Sequence, residues 1–131
     1  MPERAARTVL AFDFGLKRIG VAVGEPELGT AHPLAPIVAP GFDSISRLIS
    51  EWRPAQLVIG WPVAANGEHP LARRVERFAR QLEGRFHLPV TRVDERFSSV
   101  EAQSRLRGVK RKRVDSVAAQ LLLEQYFHEA A

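Results

Sequence analysis

The stretch LAFDFGLKRIGVAV, Leu10 to Val23, contains the pattern that decides how this chain folds. From Thr8 to Phe14 the residues form an almost continuous apolar run, which is typical of a central strand buried on both faces. After the short connection GLKR, Ile19 and Val21 alternate with small residues, which predicts a second strand. We therefore expect the two strands to pair as a β-hairpin.

The period of the apolar residues changes several times along the rest of the chain. A third strand over LGTAHPLAPIVA is expected at a sheet edge because two prolines interrupt it. A helix capped by Asp43 or Ser44 should follow and end at Pro54. The remaining predicted elements are the strand AQLVIGWP, a helix with an apolar stripe from Leu71 to Phe86, a strand from Pro89 to Asp94, a helix from Ser98 to Gly108, and a last helix from Val114 through Leu122 to Tyr126. This order indicates one α/β domain, residues 1–131, with a mixed sheet.

Composition narrows the class of protein. The chain has 131 residues, which suffices for one domain with a core, and it has no cysteine, which excludes disulfide scaffolds, thiolate zinc sites and cysteine nucleophiles. No apolar run approaches the roughly 20 residues of a membrane span, and the N-terminus lacks a signal-peptide pattern, so a soluble cytoplasmic protein is expected. The net charge of +4 and the pI of about 10.3 make a polyanion a reasonable partner.

Four acidic residues stand at the predicted ends of elements. Asp13 ends the first strand, Asp94 and Glu95 end the last strand, and Asp115 falls in the first turn of the last helix. In an open α/β sheet, sites form at the carboxyl ends of the strands, so these acids should converge. Converging carboxylates repel one another unless a cation joins them, and Mg²⁺ or Mn²⁺ suits an all-oxygen site. The sequence therefore predicts a metal ion as the partner of Asp13.

Each acid also has a purely structural interpretation. Asp13 could bond the turn that follows it, Glu95 could pair with Arg92 or Arg96 on the surface, and Asp115 could be an ordinary acid at a helix start. The metal interpretation is favoured for Asp13, because an unpaired carboxylate in so apolar a strand costs on the order of several kcal/mol. For Asp115 the two interpretations remain equal.

Strand alternation separates the two consecutive acids of the last strand. Side chains of neighbouring strand residues point to opposite faces, so Asp94 and Glu95 cannot both reach one metal if the strand is regular. Glu95 has the longer side chain and shares its face with Val93, which favours it as the ligand. Asp94 is predicted to support it by bonding Arg92 or by capping the turn into the helix at Ser98.

A basic run surrounds Gly108, shortly before Asp115. Such a run is more often a solvated face than a binding site. Here its position beside a candidate metal-binding acid indicates a phosphodiester substrate, because cations would hold the backbone while the metal acts on one phosphate. The predicted nucleic-acid-binding residues are Lys17, Arg18, Arg107, Lys110, Arg111, Lys112 and Arg113.

Four motifs, DFGLKRIGVAV, GWPVAANG, VDERFSS and VDSVAA, together resemble the YqgF/RuvX family of Holliday-junction-resolvase-like proteins and pre-16S rRNA nucleases. They occur in the family's order and span nearly the whole chain. The resemblance implies the ribonuclease H-like fold, with a five-stranded mixed sheet flanked by helices, and cleavage of a phosphodiester with a divalent metal. By this resemblance Asp13 is the acid of the first strand, Asp94 and Glu95 belong to the DER motif, and Asp115 is the acid of the last helix.

The predicted reaction is hydrolysis with one or two Mg²⁺ ions, which would lower the pKa of an attacking water and stabilise the leaving 3′ oxygen. One alternative is a phosphotransfer enzyme, which the lack of a glycine-rich phosphate loop disfavours. Another is a nucleic-acid-binding factor in ribosome maturation with weak or no catalysis, which keeps the basic surface and leaves the acids idle. Symmetrical cutting of a four-way junction needs two active sites, so resolvase activity predicts a homodimer.

Overall fold

The computed structural model describes residues 7–62, 70–95 and 116–130. Within these ranges the chain forms five strands and three helices. The strands are β1 (Val9–Asp13), β2 (Arg18–Glu25), β3 (Thr30–Val38), β4 (Gln56–Trp61) and β5 (Val90–Asp94). The helices are α1 (Phe42–Trp52), α2 (Ala72–Phe86) and α3 (Val117–Ala130).

The five strands form one mixed sheet in the order β3-β2-β1-β4-β5. The predicted hairpin is confirmed, because β1 and β2 are antiparallel with Phe12 opposite Val21 and Asp13 opposite Gly20. The predicted edge position of the proline-containing strand is also confirmed, since β3 pairs only with β2. Strands β1, β4 and β5 are mutually parallel, so their carboxyl ends meet at one edge of the sheet.

The sheet is covered on both faces. Leu10 and Phe12 of β1 pack in the cluster that contains the buried residues of α1 and α2, whereas Val9 and Ala11 pack with those of α3. These four residues are at most 1% exposed, which explains why β1 appears in the sequence as a continuous apolar run rather than an alternating one. The face of a β1 residue is therefore known from whether its number is odd or even.

The helices confirm the predicted apolar faces but differ in their bounds. The predicted cap of α1 is wrong: Gly41 is the N-cap, with a left-handed φ of 63°, and no side chain caps the helix. The glycine lets the chain turn sharply into the helix, so α1 begins at Phe42, ahead of Asp43 and Ser44. The predicted helix 98–108 and the predicted start of the last helix at 114 lie outside the described residues.

Helix α3 is attached to the edge strand by side chains. Gln120 Nε2 donates to the carbonyl of Ala31 at 3.0 Å, and the Ala31 N–H donates to Glu124 Oε2 at 3.3 Å. Both bonds satisfy backbone groups at one residue of β3, which holds α3 across β1, β2 and β3. Among the described elements, none of the helices has the length and apolar character needed to cross a membrane.

Candidate active site

The carboxyl ends of β1, β4 and β5 bring three of the four predicted acids to one edge of the sheet. Phe12 of β1 lies beside Ile59 of β4, and Trp61 of β4 lies beside Asp94 of β5. The three strands therefore end almost level with one another. This is the edge at which open α/β sheets form their ligand sites.

Asp13 is the last residue of β1 and is half-buried. Its odd number places it on the same face as Val9 and Ala11, the face that α3 covers. Its partner across the hairpin is Gly20, a residue without a side chain. The carboxyl group of Asp13 thus stands at the open end of a fully buried strand, as the sequence predicts.

Glu95 follows β5 and extends its pairing by one residue, because its N–H donates to the carbonyl of Trp61 at 3.2 Å. It therefore shares the α3 face with Val93. Its carboxylate lies over Gly60 of β4, where an added Cβ would be 2.5 Å from Oε1 and 3.3 Å from Cδ. The missing side chain of Gly60 leaves the space into which the Glu95 carboxylate extends.

Gly60 is also the next β4 residue after the partner of Phe12, so the register places it beside Asp13. Asp13, Gly60 and Glu95 thus lie across three adjacent strands on one face of the sheet. This juxtaposition agrees with the predicted choice of Glu95 over Asp94. Sequence analysis did not single out Gly60, and the signal that could have done so is a glycine within the apolar strand AQLVIGWP.

Asp94 has a different environment. It is exposed, and alternation places it on the opposite face from Glu95. Its link to the rest of the molecule is through its backbone, whose carbonyl accepts a hydrogen bond from Gln125 Nε2 at 2.6 Å. Its side chain is therefore turned away from the face that carries Asp13 and Glu95.

The predicted pair between Asp94 and Arg92 is wrong. Arg92 instead donates to Glu76 of α2, with Nε to Oε1 at 2.7 Å and Nη2 to Oε2 at 3.1 Å, and its Nη2 lies 3.5 Å from Glu83 Oε1. Two turns of α2 lie over β5 and present both glutamates to the same guanidinium group. The predicted surface alternative for Glu95, a pair with Arg92, is excluded for the same reason.

This α2–β5 contact shifts the ionisation of both partners. Hydrogen bonds from Arg92 and Arg80 lower the pKa of Glu76 below its ordinary value of 4.5, and the bond from Glu76 raises the pKa of Arg92. Arg80 is held at 2.8 Å from Glu76. Glu76 is therefore a charged anchor between α2 and the strand that ends at Glu95.

Ser116 is fully buried just before α3, and sequence analysis did not identify it. Its Oγ accepts the backbone N–H of Val21 at 3.0 Å. Val21 follows Gly20, the partner of Asp13, and lies at the register shift between β2 and β3. The start of α3 is thus fixed beside the hairpin that carries Asp13, while Asp115 itself lies outside the described residues.

The predicted basic residues divide into two groups. Lys17 and Arg18 are exposed in and after the β1–β2 connection, at the same edge as Asp13. This connection requires a glycine, because a Cβ at Gly15 would collide with the carbonyl of Arg18. The other predicted basic residues, Arg107, Lys110, Arg111, Lys112 and Arg113, lie outside the described residues.

In the segments that the structure describes, no three acidic or histidine side chains form a group that could hold a metal ion. These segments contribute two carboxylates, from Asp13 and Glu95, to the α3 face of the edge. The third predicted ligand is Asp115, which the described segments do not include.

This sheet order, with helices on both faces and acids at the carboxyl edge, defines the ribonuclease H-like class of proteins. The fold matches the crystal structure of the fowlpox virus resolvase with Holliday junction DNA, with a TM-score of 0.56 at 13% identity over 94% of this chain and 98% of that one. It also matches T. thermophilus RuvC in complex with a Holliday junction substrate, with a TM-score of 0.54 at 14% identity and 94% coverage of both chains.

The chain belongs to the RuvX family, described as Holliday junction resolvase, whose model matches residues 7–129. A relative in Methylobacillus flagellatus, named "Putative pre-16S rRNA nuclease", is 54% identical over 141 aligned positions that cover 97% of each chain. A relative of the same name in Nitrosomonas europaea is 48% identical and covers 97% of this chain and 93% of its own. The family that the sequence motifs resemble and the expected ribonuclease H-like fold are both confirmed.

Proposed function

We propose that this chain is a divalent-metal-dependent endonuclease that hydrolyses phosphodiester bonds in structured nucleic acid, with pre-16S rRNA and four-way DNA junctions as the candidate substrates. The nuclease class follows from its membership of the RuvX family and from its relatives' names. The observation that supports the site is the placement of Asp13 and Glu95 on one face of the sheet, with Gly60 between their strands.

The residues present fit a hard divalent cation. Asp13 and Glu95 offer carboxylate oxygens, the ligands that Mg²⁺ and Mn²⁺ prefer, and the space over Gly60 admits the Glu95 carboxylate. We include Asp115 as the third ligand, because the next residue, Ser116, is bonded to β2 beside the partner of Asp13. When bound, the metal would supply charge neutralisation and an activated water for hydrolysis.

The protein groups around these acids would bind and orient the substrate. Lys17 and Arg18 are exposed at the same edge and would contact backbone phosphates. The basic residues between 107 and 113 would extend this contact along the strand. Asp94 would have no ligand role, and its backbone carbonyl would fix the end of β5 against α3 through Gln125.

Replacing Asp13 tests this function directly. Asp13→Asn keeps the shape of the side chain and removes its charge, so cleavage should be lost while the fold and nucleic-acid binding are retained. The matched control is Asp43→Asn, which changes an exposed acid of α1 and should leave activity unchanged.

The measurement is cleavage of a labelled pre-16S rRNA fragment and of a labelled four-way junction, each titrated with Mg²⁺ and Mn²⁺. Full turnover by the Asp13→Asn variant, or cleavage that chelation of the metal leaves unaffected, would refute the metal-nuclease proposal. Binding without cleavage by the unmodified protein would instead indicate a ribosome-maturation factor that acts by binding.

The oligomeric state bears on the substrate. Two symmetrical cuts in a four-way junction need two sites related by a two-fold axis, so we propose that junction resolution would require a homodimer. Light scattering with and without a junction measures this. A strict monomer that cleaves the rRNA fragment would assign the enzyme to single-strand cuts.

A further inference from the structure

The exposed face of α2 carries a row of arginines that no part of the argument so far has used. Arg73, Arg74, Arg77 and Arg80 are all exposed. Arg80 is paired with Glu76, whereas the other three form no ion pair with any residue in 7–62, 70–95 or 116–130. Three guanidinium groups are therefore available along about one turn of helix.

A groove of about 550 Å³ runs between this row and the end of β4. Trp61, Arg73, Arg77 and Gln81 line it, together with Glu76. The charge of Glu76 is already balanced by its hydrogen bonds to Arg92 and Arg80. The groove is thus positively charged and has an aromatic ring on one wall.

The groove begins beside the candidate active site. The carbonyl of Trp61 accepts the N–H of Glu95, and Trp61 follows Gly60 directly. The side chain of Trp61 is half-buried, and it both packs against the core and lines the groove. A strand bound at the carboxyl edge of the sheet could therefore continue into the groove within one residue of the acids.

We propose that this groove binds an unpaired segment of the nucleic acid next to the scissile phosphate, with one base stacked on Trp61 and phosphates bound by Arg73 and Arg77. The proposal rests on the proposed nuclease function and names the form of substrate that this site accepts. A positively charged groove with an aromatic platform is the arrangement that single strands need, because the base faces of a duplex are covered by their neighbours. Arg73 and Arg77 are about 6 Å apart along the helix axis, which is close to the rise of two nucleotides along a strand.

The chain offers a direct optical test, because it contains only two tryptophans. Trp52 lies on α1 and does not line this groove. Trp52→Phe leaves Trp61 as the sole tryptophan and thus as the reporter of the groove. We expect single-stranded oligouridylate, or the same length of single-stranded DNA, to quench its fluorescence saturably, and a blunt duplex of equal length to leave it unchanged.

Variants of the full chain separate stacking from charge. Trp61→Ala should weaken single-strand binding about 5- to 150-fold, the range for loss of one base stack, and Trp61→Phe should restore most of the binding. Arg73→Ala and Arg77→Ala should each lower the dependence of log affinity on log salt by about 0.7. Arg47→Ala, which removes an exposed arginine of α1, is the matched control and should change neither quantity.

Two results would overturn the proposal: equal quenching by duplex and single strand, or unchanged affinity and salt dependence in folded Trp61→Phe, Arg73→Ala and Arg77→Ala proteins when Trp61→Ala is also unchanged. The exposed arginines keep the test valid if Trp61→Ala fails to fold. Cleavage by the unmodified chain reports on the nuclease function separately. An active enzyme with an inert groove would refute this inference alone, whereas a quenching groove without any metal-dependent cleavage would refute the nuclease assignment.

Discussion

The carboxylate of Glu95 lies where a side chain on Gly60 would have to be. A Cβ at residue 60 would be 2.5 Å from Glu95 Oε1 and 3.1 Å from Leu122 Cδ2. Gly60 is not among the described glycines with a positive φ, so its backbone conformation is open to other residues. Glycine is needed here for space, and the group that uses the space is a candidate metal ligand from the neighbouring strand.

The first prediction is that Gly60→Ala displaces this carboxylate and lowers cleavage about 100-fold, since a shift of about 1 Å in a catalytic group can cost that much. The fold should survive, because the nearest atom belongs to the end of a flexible side chain. The measurement is kcat/KM for metal-dependent cleavage, with a melting curve to confirm folding.

Gly84→Ala provides the matched control for this prediction. Gly84 lies inside α2, and a Cβ there would meet nothing within 4 Å. Alanine should raise the free energy of unfolding by about 0.5 to 1 kcal/mol and leave cleavage unchanged. Full activity in the Gly60→Ala protein would show that the position of the Glu95 carboxylate is not important for the reaction.

The second prediction distinguishes the two acids of the DER motif. Glu95→Gln should abolish cleavage and weaken Mg²⁺ binding, since it removes the charge beside β1 while keeping the shape of the side chain. Asp94→Asn should retain activity and change the free energy of unfolding by less than about 0.5 kcal/mol, because Asp94 is exposed and is anchored through its backbone. Metal titration by calorimetry and melting of both variants would measure this, and the reverse pattern would reassign the ligand.

Local sequence pattern was sufficient to predict the strands and the choice of Glu95. Burial on both faces leaves a continuous apolar run such as β1, and alternation puts neighbouring acids on opposite faces. The partner of Arg92 could not be predicted in this way. Glu76 is 16 residues away in sequence and reaches Arg92 only because α2 crosses over β5.

Contacts between distant elements also explain the other residues that sequence analysis did not identify. The role of Gly60 depends on the registers of two parallel strand pairs, which no local pattern contains. The bond between Ser116 and Val21 joins residues 95 positions apart. The arginines of α2 have the pattern of a solvated helix face, and only the groove beside Trp61 distinguishes them.

The third prediction concerns Ser116. Ser116→Ala removes the acceptor of the Val21 N–H in a fully buried position, which should lower the free energy of unfolding by about 1 to 3 kcal/mol. If Asp115 is a ligand, metal affinity should fall as well. Ser46→Ala, at an exposed position of α1, is the control and should change stability by only a few tenths of a kcal/mol. Urea unfolding measures the difference, and equal stability of the two variants would contradict the buried hydrogen bond.

The fourth prediction tests the basic run outside the described residues. Replacing Lys110, Arg111 and Lys112 with alanine should weaken duplex DNA and RNA to a similar extent, because phosphate contacts carry no sequence information. Each lost contact on duplex DNA should lower the slope of log affinity against log salt by about 0.9. Affinity measured from 50 to 200 mM salt, on the order of the range in which such slopes are resolved, gives the number of contacts. An unchanged slope would identify the run as a solvated face.

The last prediction follows from the lowered pKa of Glu76. Its folded-state pKa lies below the ordinary value of 4.5, so its bonds to Arg92 and Arg80 stabilise the protein fully above pH 4.5 and are lost as the pH falls through the lowered pKa. Glu76→Gln should therefore melt below the unmodified protein at pH 7, and the difference should shrink steadily as the pH is lowered below 4.5. Glu51→Gln, an exposed change in α1, should show no such trend. A melting difference for Glu76→Gln that stays constant from pH 7 to acid would show that the ion pair with Arg92 does not hold α2 to β5.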